Sequence, residues 1–172
     1  FRWTGSWRTV FLTLDRLNGV EVTKDFKQTM RAFLEKYRMA GHDLEIDGPR
    51  YVSLEIEMLV CVKPDYFRSD VRKALLEIFS NGRTADGQAG VFHPDRFTFG
   101  QPVFLSPLYA AAQSVEGVAS VEIKKFQRQG IDSETGKDEG KLLMQRLEIA
   151  RLDNDPNFPD RGVFHLTLKG GR

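Results

Sequence analysis

The chain has 172 residues, with 25 basic and 24 acidic side chains and a net charge of +1, so its balance does not ask for a polyanionic partner. A chain of this length buries roughly 70% of the surface its unfolded form exposes, enough for one true core. The single cysteine, Cys61, excludes an internal disulfide, and the longest apolar run, Met58 to Val62, is far too short to span a bilayer.

Thr9 to Leu14 alternates and is rich in β-formers, which predicts a strand, and Asn18-Gly19 marks a turn. Thr23 suits a helix cap, with Asp25 in the first turn. Phe26, Met30, Phe33, Leu34 and Tyr37 form one helical stripe, and Gly41 is its expected left-handed stop. Leu44 to Asp47 predicts a short strand broken by Gly48-Pro49.

Tyr51 to Lys63 is the clearest strand. Val52, Leu54, Ile56, Met58, Val60 and Val62 share a face, while Ser53, Glu55 and Glu57 open the other, and Pro64 ends the run. A helix follows, with Phe67, Val71, Leu75, Ile78 and Phe79 as its stripe and Asn81-Gly82 as its stop. Residues 82–104 show no period but carry four phenylalanines, which predicts an ordered loop. Ser106-Pro107 reads as cap and first turn of a short helix ending at Gly117. Val118 to Phe126 is a strand. Gln129 to Gly140 is polar and is expected to be the most mobile stretch. Arg146 to Leu152 and Val163 to Leu168 alternate as a final strand pair, and Lys169 to Arg172 is expected to fray.

This order predicts an α+β fold: a mixed or antiparallel sheet with helices packed on one face, two βαβ-type halves, ferredoxin-like in outline, and a C-terminal β-hairpin. Residues 1–172 read as one domain, with 48–50 the place where it would subdivide. The opening Phe1 suggests a fragment of a longer polypeptide.

The stretch ARLDNDPNFPDRG (150–162) offers Asp153, Asp155 and Asn157 at every second position, as a calcium loop does. Such a loop needs Gly at its sixth position and Glu at its twelfth. Counting from Asp153, those positions hold Phe158 and Phe164, so the spacing fails, and Pro156 and Pro159 stiffen the backbone instead. His93-Pro94-Asp95 resembles half of an acid–base or metal site, but no second histidine follows at ligand spacing. His42 and His165 are far from it in sequence. Cys61 lies within a strand, as inert packing does. Trp3 and Trp7 could form a partner or sugar platform, or cover the end of the core. The residues by themselves assign no catalytic group, metal or cofactor. The alternative enzyme reading is a metal-assisted hydrolase using His93, Asp95 and the Asp153–Asp160 stretch.

Several phrases are more specific than these motifs: FRWTGSWRTVFLTLDR (1–16), YRMAGHDLEI (37–46), VCVKPDYFRSDVRKALLEIFS (60–80), GVFHPDRFTFGQPVFLSPLYAAAQSVEGVASV (90–121) and RLEIARLDNDPNFPDRG (146–162). Their order and wording resemble the C-terminal part of baseplate J-like proteins, the baseplate assembly proteins of contractile phage tails and related injection systems. The resemblance implies a structural, non-enzymatic wedge subunit without cofactors. Its partners would be other wedge subunits and neighbouring copies in a six-fold baseplate, not nucleic acid or membrane. It would be cytoplasmic during assembly and then part of the particle, and monomeric or weakly oligomeric alone. Trp3, Trp7, Asp153, Asp155, Phe158 and Asp160 are the partner-contact candidates, with Phe158, held between two prolines, foremost.

Overall fold

A computed structural model of the chain describes residues 2–3, 8–84, 86–131 and 135–172, with Arg2, Trp3 and Thr135 described by their backbone alone. The fold is α+β, and it divides into two compact units, Phe1–Arg50 and Tyr51–Arg172.

The first unit holds strands β1 (Arg2–Trp3), β2 (Arg8–Thr13) and β3 (His42–Asp47) in that sheet order, with helix α1 (Lys24–Glu35) between the last two. β2 and β3 run parallel, Val10 opposite Leu44 and Leu12 opposite Ile46, so the unit is a true βαβ crossover. The Thr23 hydroxyl caps α1 by accepting the Phe26 N–H at 3.4 Å. Asn18 and Gly19 both take positive φ, as the turn predicted there requires. The helix stops earlier than expected, at Glu35. Gly41, with φ of 79°, is spent on the turn into β3 instead of on a helix cap. Lys27 pairs with Asp47 at 2.6 Å, and Arg31 reaches Glu45 at 3.5 Å, so the cations of α1 meet the carboxylates that β3 points away from its buried Leu44 and Ile46.

The second unit is built on β4 (Arg50–Val62). Leu54, Ile56, Met58 and Val60 are fully buried, as the alternation predicts. β6 (Val118–Arg128) lies antiparallel along one edge, from Leu54 opposite Arg128 to Val62 opposite Val118. β9 (Val163–Gly170) lies parallel along the other, from Glu55 opposite Val163 to Val62 opposite Gly170. β8 (Glu148–Arg151) joins β4 on the side away from β6. Helices α2 (Arg68–Ile78) and α3 (Leu105–Gln113) supply Val71, Leu75, Leu108 and Ala112 to the core. Phe79 stacks on Phe164 with centroids 5.0 Å apart, and Phe92, from the phenylalanine-rich loop, packs 5.9 Å from Phe79. Each such ring, fully buried, contributes roughly 2–3 kcal/mol of transfer free energy. Short strands β5 (Val103–Phe104) and β7 (Lys141–Leu142) pair antiparallel, and α4 (Thr135–Glu139) forms inside the stretch expected to be mobile.

Further details differ from the sequence reading. The second half is not a βαβ unit, because the chain crosses with two helices. It leaves β4 at Val62 and returns at Val118, beside the same end, so β6 must run antiparallel. The last two strands do not form a hairpin: β8 and β9 both attach to β4, and the strands of the two units lie in separate sheets instead of one ferredoxin-like sheet. Ser106 is not the cap of α3. That helix starts at Leu105, whose N–H is taken by the Gly140 carbonyl at 3.0 Å. Finally, the tail does not fray: β9 runs to Gly170, and Arg172 exchanges backbone hydrogen bonds with Tyr66 and Arg68.

Candidate functional site

Residues 152–163 join β8 to β9. The Asp153 and Asn154 N–H groups donate to the carbonyls of Arg161 (2.9 Å) and Gly162 (3.2 Å), which closes the base of the turn. Asn154 sits in the left-handed region, φ 50°, which asparagine tolerates better than most residues. Its side-chain oxygen accepts the Phe164 N–H at 2.9 Å. The Asp155 carboxylate accepts from the Asn157 backbone N–H at 2.8 Å and its side-chain amide at 3.0 Å, an Asx turn. The Asp153 carboxylate is paired with Arg151 by two hydrogen bonds from the guanidinium, that from Nε at 2.8 Å. The turn is also held from outside. The Ser53 hydroxyl donates to the Asp160 carbonyl (2.6 Å), and the Gln129 amide donates to that of Pro159 (2.7 Å).

Gly162 fixes the exit. Its φ is 96°, and a methyl group there would stand 2.8 Å from the Arg151 carbonyl oxygen and 3.0 Å from that of Leu54. No larger residue fits. On this scaffold Phe158 is 45% exposed, and the Arg161 guanidinium lies 4.2 Å over its ring. The acidic side chains are therefore used locally: Asp153 neutralises Arg151 and Asp155 shapes the backbone. That is the chemistry of a rigid turn, and its apolar tip is presented to solvent.

His93 is buried at 4% exposure, and its Nδ1 accepts the Asp95 backbone N–H at 3.3 Å, where it caps the short turn Pro94–Arg96. The Asp95 carboxylate stands 3.8 Å from the same nitrogen. His165 is exposed on β9 opposite Glu57, and His42 opens β3 in the other unit. Cys61 is part-buried between Ser120 and Lys169 of the flanking strands. Among the described residues no three His, Cys, Asp or Glu side chains gather as metal ligands would. The hydrolase reading thus finds no support in the placement of its residues. Trp7 lies outside the described residues, as does the side chain of Trp3.

Sequence periodicity gave no sign of two strongly exposed apolar side chains in the first unit. Tyr37 and Met39 are 72% and 71% exposed, at the rim of an open groove of about 240 Å³ floored by Val10, Leu12, Leu34 and Leu44. Tyr37 belongs to the predicted stripe of α1, but the helix ends before it, so only its neighbours Phe26, Met30 and Leu34 are partly covered.

Residues 1–47 match the baseplate J-like central domain, which falls within the first unit. Over that span the chain is similar to a baseplate J-like protein, as its wording suggests. The matched model is that of a central domain. No curated protein matches the chain. No helix among the described residues is long and apolar enough to cross a membrane.

Proposed function

We infer that the chain is a structural subunit of the baseplate of a contractile phage tail or phage-tail-like injection system, and that it works by holding neighbouring wedge subunits together. The observation that carries this reading is the match of residues 1–47 to the baseplate J-like central domain. The second unit supports it in chemical terms. Its β8–β9 turn, clamped by Ser53 and Gln129, carries an exposed aromatic, and the Asp153 and Asp155 carboxylates are engaged with Arg151 and with the Asn157 backbone. A rigid aromatic loses little conformational entropy on binding, and such residues are frequent interface anchors.

In this reading the partners are other wedge proteins and further copies of the chain around a six-fold baseplate. Phe158, with Asp153, Asp155 and Asp160 around it, is one contact, and Trp3 and Trp7 are candidates for another. The protein is made in the cytoplasm and ends in the particle, without catalysis or a cofactor. The test is an affinity tag on the parent protein in its native host. Particles purified through the tag should contain sheath, tube and spike proteins in fixed ratio. Recovery of the tagged protein alone, with untagged particles intact elsewhere in the gradient, would refute the reading.

A further inference from the structure

We propose that Asn81 is a site of spontaneous covalent modification, at which the Asn81-Gly82 pair closes to a succinimide and reopens as aspartate or isoaspartate. The site lies in the second unit, and its chemistry does not depend on the assembly role.

The chain has four asparagines: Asn18, Asn81, Asn154 and Asn157. Ring closure needs a side-chain amide and a following main-chain nitrogen that no other bond holds. It is fastest where the following residue is glycine, which has no Cβ in the way and turns freely. Asn154 and Asn157 are followed by Asp155 and Phe158, and both side chains are engaged, one by the Phe164 N–H at 2.9 Å and the other by the Asp155 carboxylate at 3.0 Å. Asn18 precedes Gly19, but that pair is fixed. Both residues take positive φ, and the Gly19 N–H donates to the Arg16 carbonyl at 3.1 Å. Asn81 differs on each count. It is exposed, as is Gly82, in the bend that leaves α2. Among the described residues, neither its side-chain amide nor the Gly82 N–H makes a hydrogen bond. Gly82 lies outside the left-handed region, and a methyl group added to it would meet only the Ser80 hydroxyl, at 4.0 Å.

The reaction needs only water and base. The Gly82 nitrogen gives its proton to base in the solvent and bonds to Cγ of Asn81. The bond from Cγ to the side-chain nitrogen breaks, and ammonia leaves. Water then opens the ring at either carbonyl. Opening at Cγ leaves aspartate. Opening at the main-chain carbonyl leaves isoaspartate, whose main chain runs through Cβ and Cγ and is longer by one methylene.

That methylene falls at a joint of the core. The Gly82 carbonyl accepts the Gly90 N–H at 2.9 Å, and the Ser80 carbonyl accepts that of Phe92 at 3.2 Å. These bonds hold the loop that seats Phe92 5.9 Å from Phe79 and 6.0 Å from Phe164. The two acceptors flank residue 81, so isoaspartate there shifts one against the other. Aspartate adds the same charge and keeps the spacing.

The test is to age the whole 172-residue chain in mildly alkaline buffer and map its tryptic peptides. The peptide Ala74–Arg83 should gain the mass difference between water and ammonia, and an isoaspartyl methyltransferase should label it. The peptide Leu17–Lys24, which carries Asn18, should stay unchanged. In guanidinium, where the fold is lost, the two Asn-Gly peptides should convert at similar rates. Gly82→Ala should melt close to the parent and slow the reaction several-fold, and Asn81→Gln should leave the peptide unmodified. An unchanged Ala74–Arg83 peptide, conversion of Asn18 as fast as Asn81 in the folded chain, or parent-like ageing of Gly82→Ala would each overturn the site. The structural effect is read by hydrogen exchange. The Gly90 and Phe92 amides should exchange faster in the isoaspartyl fraction than in the parent, and Asn81→Asp should match the parent. Equal protection in all three would overturn the displacement of the loop.

Discussion

The side-chain oxygen of Asn154 accepts the backbone N–H of Phe164 at 2.9 Å, across the turn that separates β8 from β9. One guanidinium nitrogen of Arg72 reaches the Leu166 carbonyl of the same strand at 3.4 Å. Two polar side chains thus occupy main-chain groups of β9, a strand that among the described residues pairs only with β4, and blunt it against further strand pairing. Asn154→Ala should cost about 2 kcal/mol, because it loses the cap and places alanine at positive φ. Asn154→Gly keeps the backbone and should cost about half as much. Urea titrations that give both variants equal stability would remove the cap from this account.

Gly162→Ala should be the more damaging backbone change. Its methyl would meet two carbonyl oxygens at 2.8 and 3.0 Å, at a φ of 96°. We expect a loss of roughly 3 kcal/mol from steric strain and a displaced turn. A melting temperature within a degree of the parent would mean that the loop relaxes freely.

Val60 is fully buried near the C-terminal end of β4, and Val60→Asp should cost on the order of 4 kcal/mol by burying a carboxylate without a partner. Glu55 lies on the opposite face, where truncation of a side chain ordinarily costs within about 0.5 kcal/mol. The structure raises that figure, because its carboxylate accepts from Lys125 and from the buried Gln127, each at 2.9 Å. Glu55→Ala should therefore cost about 1 kcal/mol, mostly through the stranded amide of Gln127. Equal losses for the two variants would invalidate the assignment of faces.

The same carboxylate gives a pH signature. The hydrogen bond from Lys125, reinforced by that from Gln127, holds Glu55 below the usual glutamate range. A depressed folded value means stability that is present above the unfolded value, about 4.3, and lost as pH falls through the folded value. Glu55→Gln should flatten the acid limb of stability against pH and leave its neutral region parallel to the parent. Identical acid limbs, followed by chemical denaturation, would exclude the contribution.

Phe158→Ala should separate anchoring from packing. With the ring 45% exposed, its truncation should cost the isolated chain no more than about 1 kcal/mol, including its contact with Arg161. Incorporation into baseplate particles should fall. Clear destabilisation with normal incorporation would make the residue a lid instead of a contact.

Much of the fold was legible because period and punctuation agree. β4 shows strict alternation ended by Pro64, and α1 has its threonine cap, acidic first turn and apolar stripe. What could not be read was pairing. Alternation in 146–152 and 163–168 marks two strands but is silent on whether they meet each other or a third, and here both meet β4. The two-residue strands β1, β5 and β7 are too short to show any period, and α4 is a single turn in a polar stretch. At the candidate turn, the failed calcium spacing and the prolines were visible in the sequence. The clamp from Ser53 was not, since it lies 107 residues away from Asp160.

That separation bears on synthesis. The first unit joins β2 to β3 through one crossover helix, so its sheet can close while the rest of the chain is still being made. β4 emerges next and must wait for β6, then β8, and last β9, whose partner residues run to Gly170. Until then its apolar face, Leu54 to Val60, is an unpaired strand of high contact order, slow to satisfy and prone to foreign pairing. The order of birth on the ribosome thus makes the last strand the gate to a finished subunit.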